Sequence, residues 1–287
     1  MRIPPLPGVL LLGCLGLSAC SVGAGGFVAN DDSGDLSNTL ERSTATYQVL
    51  DLQTGSVTGR ESIDDLGANL AYRTGLMVFH RVNAGSTALG SRSGQLGAQA
   101  DEPASRGSFD AFYIGVFEVT QGQWQVLSAR SGGATAPWTD AAASGVTGIG
   151  ANYPAWALSQ QTVEQTLAAG GLPLSLPSEV QWEAAARGGS GTDFWWGDDP
   201  DESVAGSRAR VAETNGGGTG PAPVGGLAAN SFALHDILGN VWELTSAGTI
   251  RGGSWHDTVL QARPANRIVL DPATAHALVG ARLVLIP

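Results

Sequence analysis

The sequence predicts an α+β domain, loop-rich, with few short helices and strands, and three observations carry that prediction. Glycine fills 41 of the 287 positions while charged residues make up only 14%, a balance that suits a loop-built domain better than a helical bundle. Eight tryptophans supply large buried surfaces to a chain with little regular structure. Only three segments carry helical spacing, and the apolar runs between them are short enough to be strands. Ordered loops of that length inside one domain usually serve an ion or a binding role.

Residues 1–20 read as a lipoprotein signal peptide. Arg2 precedes an apolar run from Val9 to Leu17, followed by the lipobox Leu17, Ser18, Ala19 and Cys20. The Cys20 thiol takes a diacylglycerol before cleavage after Ala19, and a plain secretory signal with an incidental Cys20 is the alternative. The run is too short for the roughly 20 apolar residues of a spanning helix. The expected localisation is export and lipid anchoring to the cell envelope. Ser21 after the lipidated cysteine points to the outer membrane or cell surface rather than the inner membrane. The membrane, reached through this anchor, is therefore an expected partner. Residues 21–45 are small and polar and read as a flexible tether. Residues 46–75 read as an N-terminal extension in which Tyr47, Val49 and Leu52 form a small hairpin around Thr54 and Gly55. The main domain, 76–287, opens on the strand-like run Leu76 to Phe79.

Within that domain Val119 to Ser128 and Trp156 to Ala168 have apolar residues at helical spacing. The third helix has the clearest start, because Ser178 and Gln181 form a capping box and Trp182, Ala185 and Ala186 follow as a buried face. Gly188 and Gly189 end it. Ile250 to Trp255 and Ala281 to Ile286 read as strands.

The net charge is −11, and all fifteen basic residues are arginine. An acidic surface excludes nucleic acid as a partner. Both cysteines, Cys14 and Cys20, lie in the leader, so the domain has no disulfide and no thiol chemistry. A chain of this size can bury enough apolar surface to fold without a disulfide.

Several strings, in order, resemble the formylglycine-generating (sulfatase-modifying-factor) family. They are FDAFYIGVFEVTQGQ from Phe109, LPSEVQWEAAARGG from Leu176, FWWG from Phe194, LHDILGNVWELT from Leu234, RGGSW from Arg251 and GARL from Gly280. The resemblance implies a C-type lectin-like fold of the formylglycine-generating-enzyme type. The family's oxidase uses a cysteine pair that binds copper, expected here at about Val259 and Pro264. Neither is a thiol, so formylglycine generation is excluded and no copper is expected. His80, His235, His256 and His276 show no ligand spacing and read as surface or hydrogen-bonded histidines.

The resemblance also implies one structural calcium, held by Asp236, Glu243 and the carbonyls of Gly239 and Val241, a hard oxygen set. The alternative is a plain core strand around Trp242. A second family calcium site needs an acid near Gly216 to Gly218, where there is none. Arg251, Arg263, Asn266, Arg267 and Arg282 read as framework residues that brace carbonyls and carboxylates. Glu179 and Glu183, four apart with Arg187 nearby, read as a solvated or salt-bridged face rather than a catalytic pair.

Between the framework positions lie Trp255, His256, Asp257, Thr258, Leu260, Gln261, Ile268, Val269, Leu270 and His276, where cysteine-less relatives bind ligand. Exposed Ile268, Val269 and Leu270 would make a protein-binding patch; packed inward they would belong to the core. Two functions follow. The first is a lipid-anchored, non-catalytic module that binds an unidentified protein or small molecule, in the manner of lectin-fold surface proteins diversified by retroelements. The second is a cysteine-independent enzyme of the same family, like the proteins tied to pyoverdine maturation.

Overall fold

The structure, a computed structural model, describes residues 44–133, 135–142 and 145–286. The expected signal peptide, Cys20 and most of the expected tether lie outside the described residues. Twelve short strands are present: β1 Tyr47–Asp51, β2 Val57–Arg60, β3 Leu76–Val82, β4 Gly85–Leu89, β5 Ser105–Phe109, β6 Phe112–Gly115, β7 Leu174–Ser175, β8 Trp242–Leu244, β9 Thr249–Arg251, β10 Arg267–Val269, β11 Val279–Gly280 and β12 Val284–Leu285. They form a six-stranded sheet in the order β2-β1-β3-β6-β12-β7, a four-stranded sheet β10-β9-β8-β11 and the separate hairpin β4-β5. No helix among the described residues is long and apolar enough to cross a membrane.

The hairpin expected around Thr54 and Gly55 is β1-β2, with Leu50 opposite Val57. Asp51 Oδ1 accepts the amides of Gln53 and Thr54 at 2.8 and 2.9 Å, and these bonds hold the Asp51 carboxyl below its usual range. The segment 46–75, read as an N-terminal extension, joins the main sheet, because β1 also pairs along its whole length with β3. Burial of Leu50 and Leu52 draws the hairpin into the main sheet.

The helices start where their caps are. Helix α1, Gln121–Arg130, follows a complete capping box of Thr120 and Gln123. It begins after Val119 because that amide is taken by the Ala281 carbonyl at 2.8 Å. Two helices are short: α2 (Pro137–Ala142), which follows α1, and α5 (Glu202–Ala205), the last in sequence among the described residues. Helix α3, Gln160–Gly170, is capped by Ser159; its expected first residues, Trp156 to Leu158, instead run along β11, with the Leu158 amide on the Val279 carbonyl. Helix α4, Glu179–Arg187, has both bonds of the Ser178 and Gln181 box and ends on left-handed Gly188. Strand β9 stops at Arg251, because Gly252 and Gly253 turn left-handed at φ of 92° and 76°.

Five tryptophans, Trp124, Trp138, Trp156, Trp182 and Trp242, are each no more than 2% exposed. Four of their indole N–H groups have partners: the Thr135 hydroxyl, the Gly148 carbonyl, Glu243 and Asp257. Burial of a polar N–H without a partner would cost most of what the ring gains.

The loop between Asp236 and Trp242 depends on a close approach. Gly239 sits at φ 87°, and a Cβ there would lie 2.4 Å from the Arg210 carbonyl oxygen. Gly217 has a similar φ of 80° but open space around it. A left-handed non-glycine residue costs roughly 1–2 kcal/mol. Urea denaturation should show Gly217→Ala losing about that much, while Gly239→Ala loses several-fold more or fails to fold; equal losses would refute the steric role of Arg210.

Candidate functional site

The centre of the molecule is a buried node of acids and arginines. Arg282, fully buried, donates to both oxygens of Glu243 at 2.8–3.1 Å, to the Gly115 carbonyl at 2.9 Å and to the His235 carbonyl at 2.8 Å. Trp182 of α4 adds its indole N–H to Glu243 at 2.6 Å. Glu118, just before α1, takes the Asn240 side-chain amide and the Val241 backbone amide at 2.6 and 3.1 Å. Asp236, left-handed at φ 55°, accepts the Gly225 amide at 2.6 Å. Burial pushes the Glu118 carboxyl well above its usual range and raises Asp236 and Glu243, with Arg282 opposing the rise.

The structure thus brings Asp236, Gly239, Val241 and Glu243 onto one buried loop. Of the four expected calcium donors, two are backbone carbonyls and one, Glu243, already holds the guanidinium of Arg282. Among the described residues no three of His, Cys, Asp and Glu converge as a metal-ligand group. Glu118, Asp236 and Glu243 are three buried carboxyls within each other's field, and carboxylate and carbonyl oxygen is the donor type a hard ion takes.

Beside this node lies the corner expected to bind ligand. Trp255, Asp257 and Ile268 are buried, at 4%, 2% and 3% exposure. Thr258 and Val269 are exposed, and His256, Leu260, Gln261, Leu270 and His276 are half-buried. The two readings left open for Ile268, Val269 and Leu270 divide residue by residue, and Ile268, placed among the ligand-binding candidates, lies in the core. Strand β10 alternates, so Ile268 turns into the core beside Ile250 while Val269 faces out at 72% exposure. Val259 and Pro264, where thiols were sought, are both buried.

The framework residues brace this corner as expected. Arg251 holds Glu179, Glu183 and the Pro264 carbonyl at 2.8–3.0 Å, and Arg267 pairs with Glu179 at 2.9 Å. Glu183 is 1% exposed and also holds Arg187, so the acidic face of α4 is salt-bridged and not solvated. Arg263 reaches Glu102, the Ser91 hydroxyl and the Gly97 and Leu260 carbonyls, fastening loop 91–102 against the short 3-10 helix Val259–Ala262. Asn266 donates to the Gln261 carbonyl.

Inside the corner the Trp242 indole N–H and the Ser254 hydroxyl both donate to Asp257 Oδ2, the first at 2.8 Å. Burial raises the Asp257 carboxyl in spite of these bonds. His276 accepts the Leu278 amide on Nδ1 at 3.2 Å, and burial, then the charge of His256, lowers its pKa. Glu118, Glu102 and the tie from Asp257 to Trp242 were not foreseen from sequence. The only signal for Glu118 was an acid directly before a capped helix; Glu102, 161 residues from Arg263, left none.

A thiol-free, loop-built lectin-like domain with this arginine framework defines a class, and the comparisons name it. The model of the sulfatase-modifying factor enzyme 1-like domain matches residues 73–286, and the chain belongs to that family. The formylglycine-generating enzyme of Mycobacterium tuberculosis is 41% identical over 80 residues, 25% of this chain and 26% of that one. The inactive C-alpha-formylglycine-generating enzyme 2 of Mus musculus is 34% identical over 127 residues, 37% of this chain and 41% of that protein. The chain thus spans between a quarter and about two-fifths of the length of these relatives. Among solved structures, PvdO from Pseudomonas aeruginosa superposes with a TM-score of 0.59 at 22% identity, covering 72% of this chain and 94% of that one. The Treponema denticola variable protein 1 gives 0.57 at 19%, covering 74% and 96%. These likenesses confirm the C-type lectin-like fold.

Removing one partner of a buried ion pair strands the other charge, at a cost of about 3–5 kcal/mol. Arg282→Met should lose that much stability in urea, whereas Arg92→Met, which breaks the more exposed pairs to Asp193 and Asp198, should change it by less than about 1 kcal/mol. Comparable losses would deny the node its central place.

Proposed function

We propose that this protein is a lipid-anchored, non-catalytic member of the sulfatase-modifying-factor family that binds a protein or small molecule at the corner built by residues 255–276. The observation that carries the reading is the corner itself: the family scaffold is intact around it, braced by Arg251, Arg263 and Arg282, while its thiols are missing. Relatives bearing the name inactive formylglycine-generating enzyme support loss of the oxidase within this family. His256, Thr258, Val269 and His276 supply the accessible side chains. The competing reading, a cysteine-independent enzyme, draws its support from the likeness in fold to PvdO.

Elemental analysis of the purified full chain separates the two. Calcium alone supports the binding module; stoichiometric iron or copper sinks it.

The anchor is a second part of the proposal. Cys20→Ala should shift the protein from the membrane fraction to the soluble exported fraction and abolish incorporation of labelled fatty acid. Retention in the membrane without label would rule out lipidation.

The same module holds one structural calcium in the Asp236 loop, with Gly239, Val241 and Glu243. Because Glu243 also serves Arg282, Asp236 is the cleaner probe. An ion bound only to the folded state stabilises it in proportion to the logarithm of its concentration over Kd. Asp236→Asn should abolish most of the rise in melting temperature produced by millimolar calcium, and an unchanged rise would remove Asp236 from the site.

A further inference from the structure

The buried carboxylates of this molecule are consistently satisfied, with one exception. Glu102, Glu183, Asp193 and Glu243 each meet an arginine. Glu118 takes two amides, and Asp236 takes one from Gly225. Asp257, at 2% exposure, has Oδ2 doubly bonded, but its Oδ1 is the one carboxylate oxygen among the described residues that is buried with no hydrogen-bond partner. Its chain neighbours share the condition. Trp255 is 4% exposed and leaves its indole N–H buried and unpartnered, unlike Trp124, Trp156, Trp182 and Trp242. His256 Nδ1 is likewise without a partner, and its ring stands edge-on to Trp255 at 5.4 Å. Buried polar groups left open carry the full cost of their lost hydration, so three on consecutive residues call for a partner.

The charges nearby give the sign of that partner. Glu213 is exposed and accepts the Val259 amide at 3.1 Å, which sets a second carboxylate two residues along the chain from Asp257. The arginines closest in sequence turn their terminal nitrogens elsewhere: Arg263 to Glu102, Ser91 and Gly97, and Arg251 to Glu179, Glu183 and Pro264. Among the described residues, Glu102, Glu183, Asp193 and Glu243 have a guanidinium supplied by the fold. At Asp257 the fold supplies none, and a chain of net charge −11 draws cations towards it.

We propose, building on the reading of this corner as the binding surface, that Asp257 anchors a site for a small organic cation bearing N–H donors, a primary ammonium group. The ammonium donates to Oδ1 and to His256 Nδ1, and the Trp255 indole N–H serves an oxygen on the same ligand. His256, half-buried, and exposed Thr258 form its rim.

Ligand-observed NMR on the full chain in detergent tests this with ethylammonium, tetramethylammonium and acetamide as probes. Ethylammonium should bind saturably, the two probes that lack either charge or N–H should bind at least tenfold more weakly, and Asp257→Asn should weaken ethylammonium at least tenfold. Should Asp257→Asn fail to fold, the wild type carries the test alone: ethylammonium, and not acetamide, should slow carbethoxylation of His256 at least threefold. No saturable binding would mean a trapped water only and would overturn the proposal, as would equal binding of acetamide or undiminished binding by folded Asp257→Asn. Metal analysis reports on the binding-module reading independently, so calcium alone with no ammonium binding would leave that reading standing and remove only the cation.

Discussion

The ion pair between Arg282 and Glu243 is the contact on which the rest of the architecture depends. Glu243 belongs to the four-stranded sheet, Arg282 leads into β12 of the six-stranded sheet, Trp182 comes from α4, and the carbonyls of Gly115 and His235 close the arginine's remaining donors. A pair buried this deeply gains little net energy from its own attraction once both charges have been desolvated. Its effect is geometric: one guanidinium with fixed donor directions sets the mutual position of two sheets and a helix that share few regular contacts.

Around that node the molecule solves the problem of a loop-rich chain by repeating one device. Arginines reach inward from loops and strand ends to carboxylates on other elements: Arg251 to α4, Arg263 to the loop at Glu102, Arg267 to Glu179. Arginine suits this because its planar fork binds several acceptors at once and stays charged when buried. The corner at Trp255 to His276 inherits its rigidity from these braces, so its own side chains need not pack for stability alone.

Much of the fold was legible in the sequence. The capping box at Ser178 and the glycine stop at Gly188 are local signals with local causes, and they sit where the structure has them; the box at Thr120 and the turn at Gly252, which ends a strand expected to run on to Trp255, went unread. The hairpin at Thr54 was visible too, but its membership in the main sheet was not, since pairing of β1 with β3 depends on partners 25 residues or more away. Candidate site residues divided along the same line. Arg251, Arg263 and Arg282 could be recognised as braces from their surroundings, yet Glu102 could not be matched to Arg263, nor Glu118 to Asn240 and Val241. The inward turn of Ile268 against the outward turn of Val269 is set by the register of β10 on β9, which no short string encodes.

Strand β12 lies between β6 and β7 in the large sheet, although it is made from almost the last residues described, and Arg282 just before it contacts Gly115, 167 residues earlier. Chain growth therefore supplies β12 only after both of its sheet neighbours have been made. Until then β6 and β7 have no common neighbour and the Glu243 carboxylate has no counter-ion, so the earlier chain is held short of a closed core.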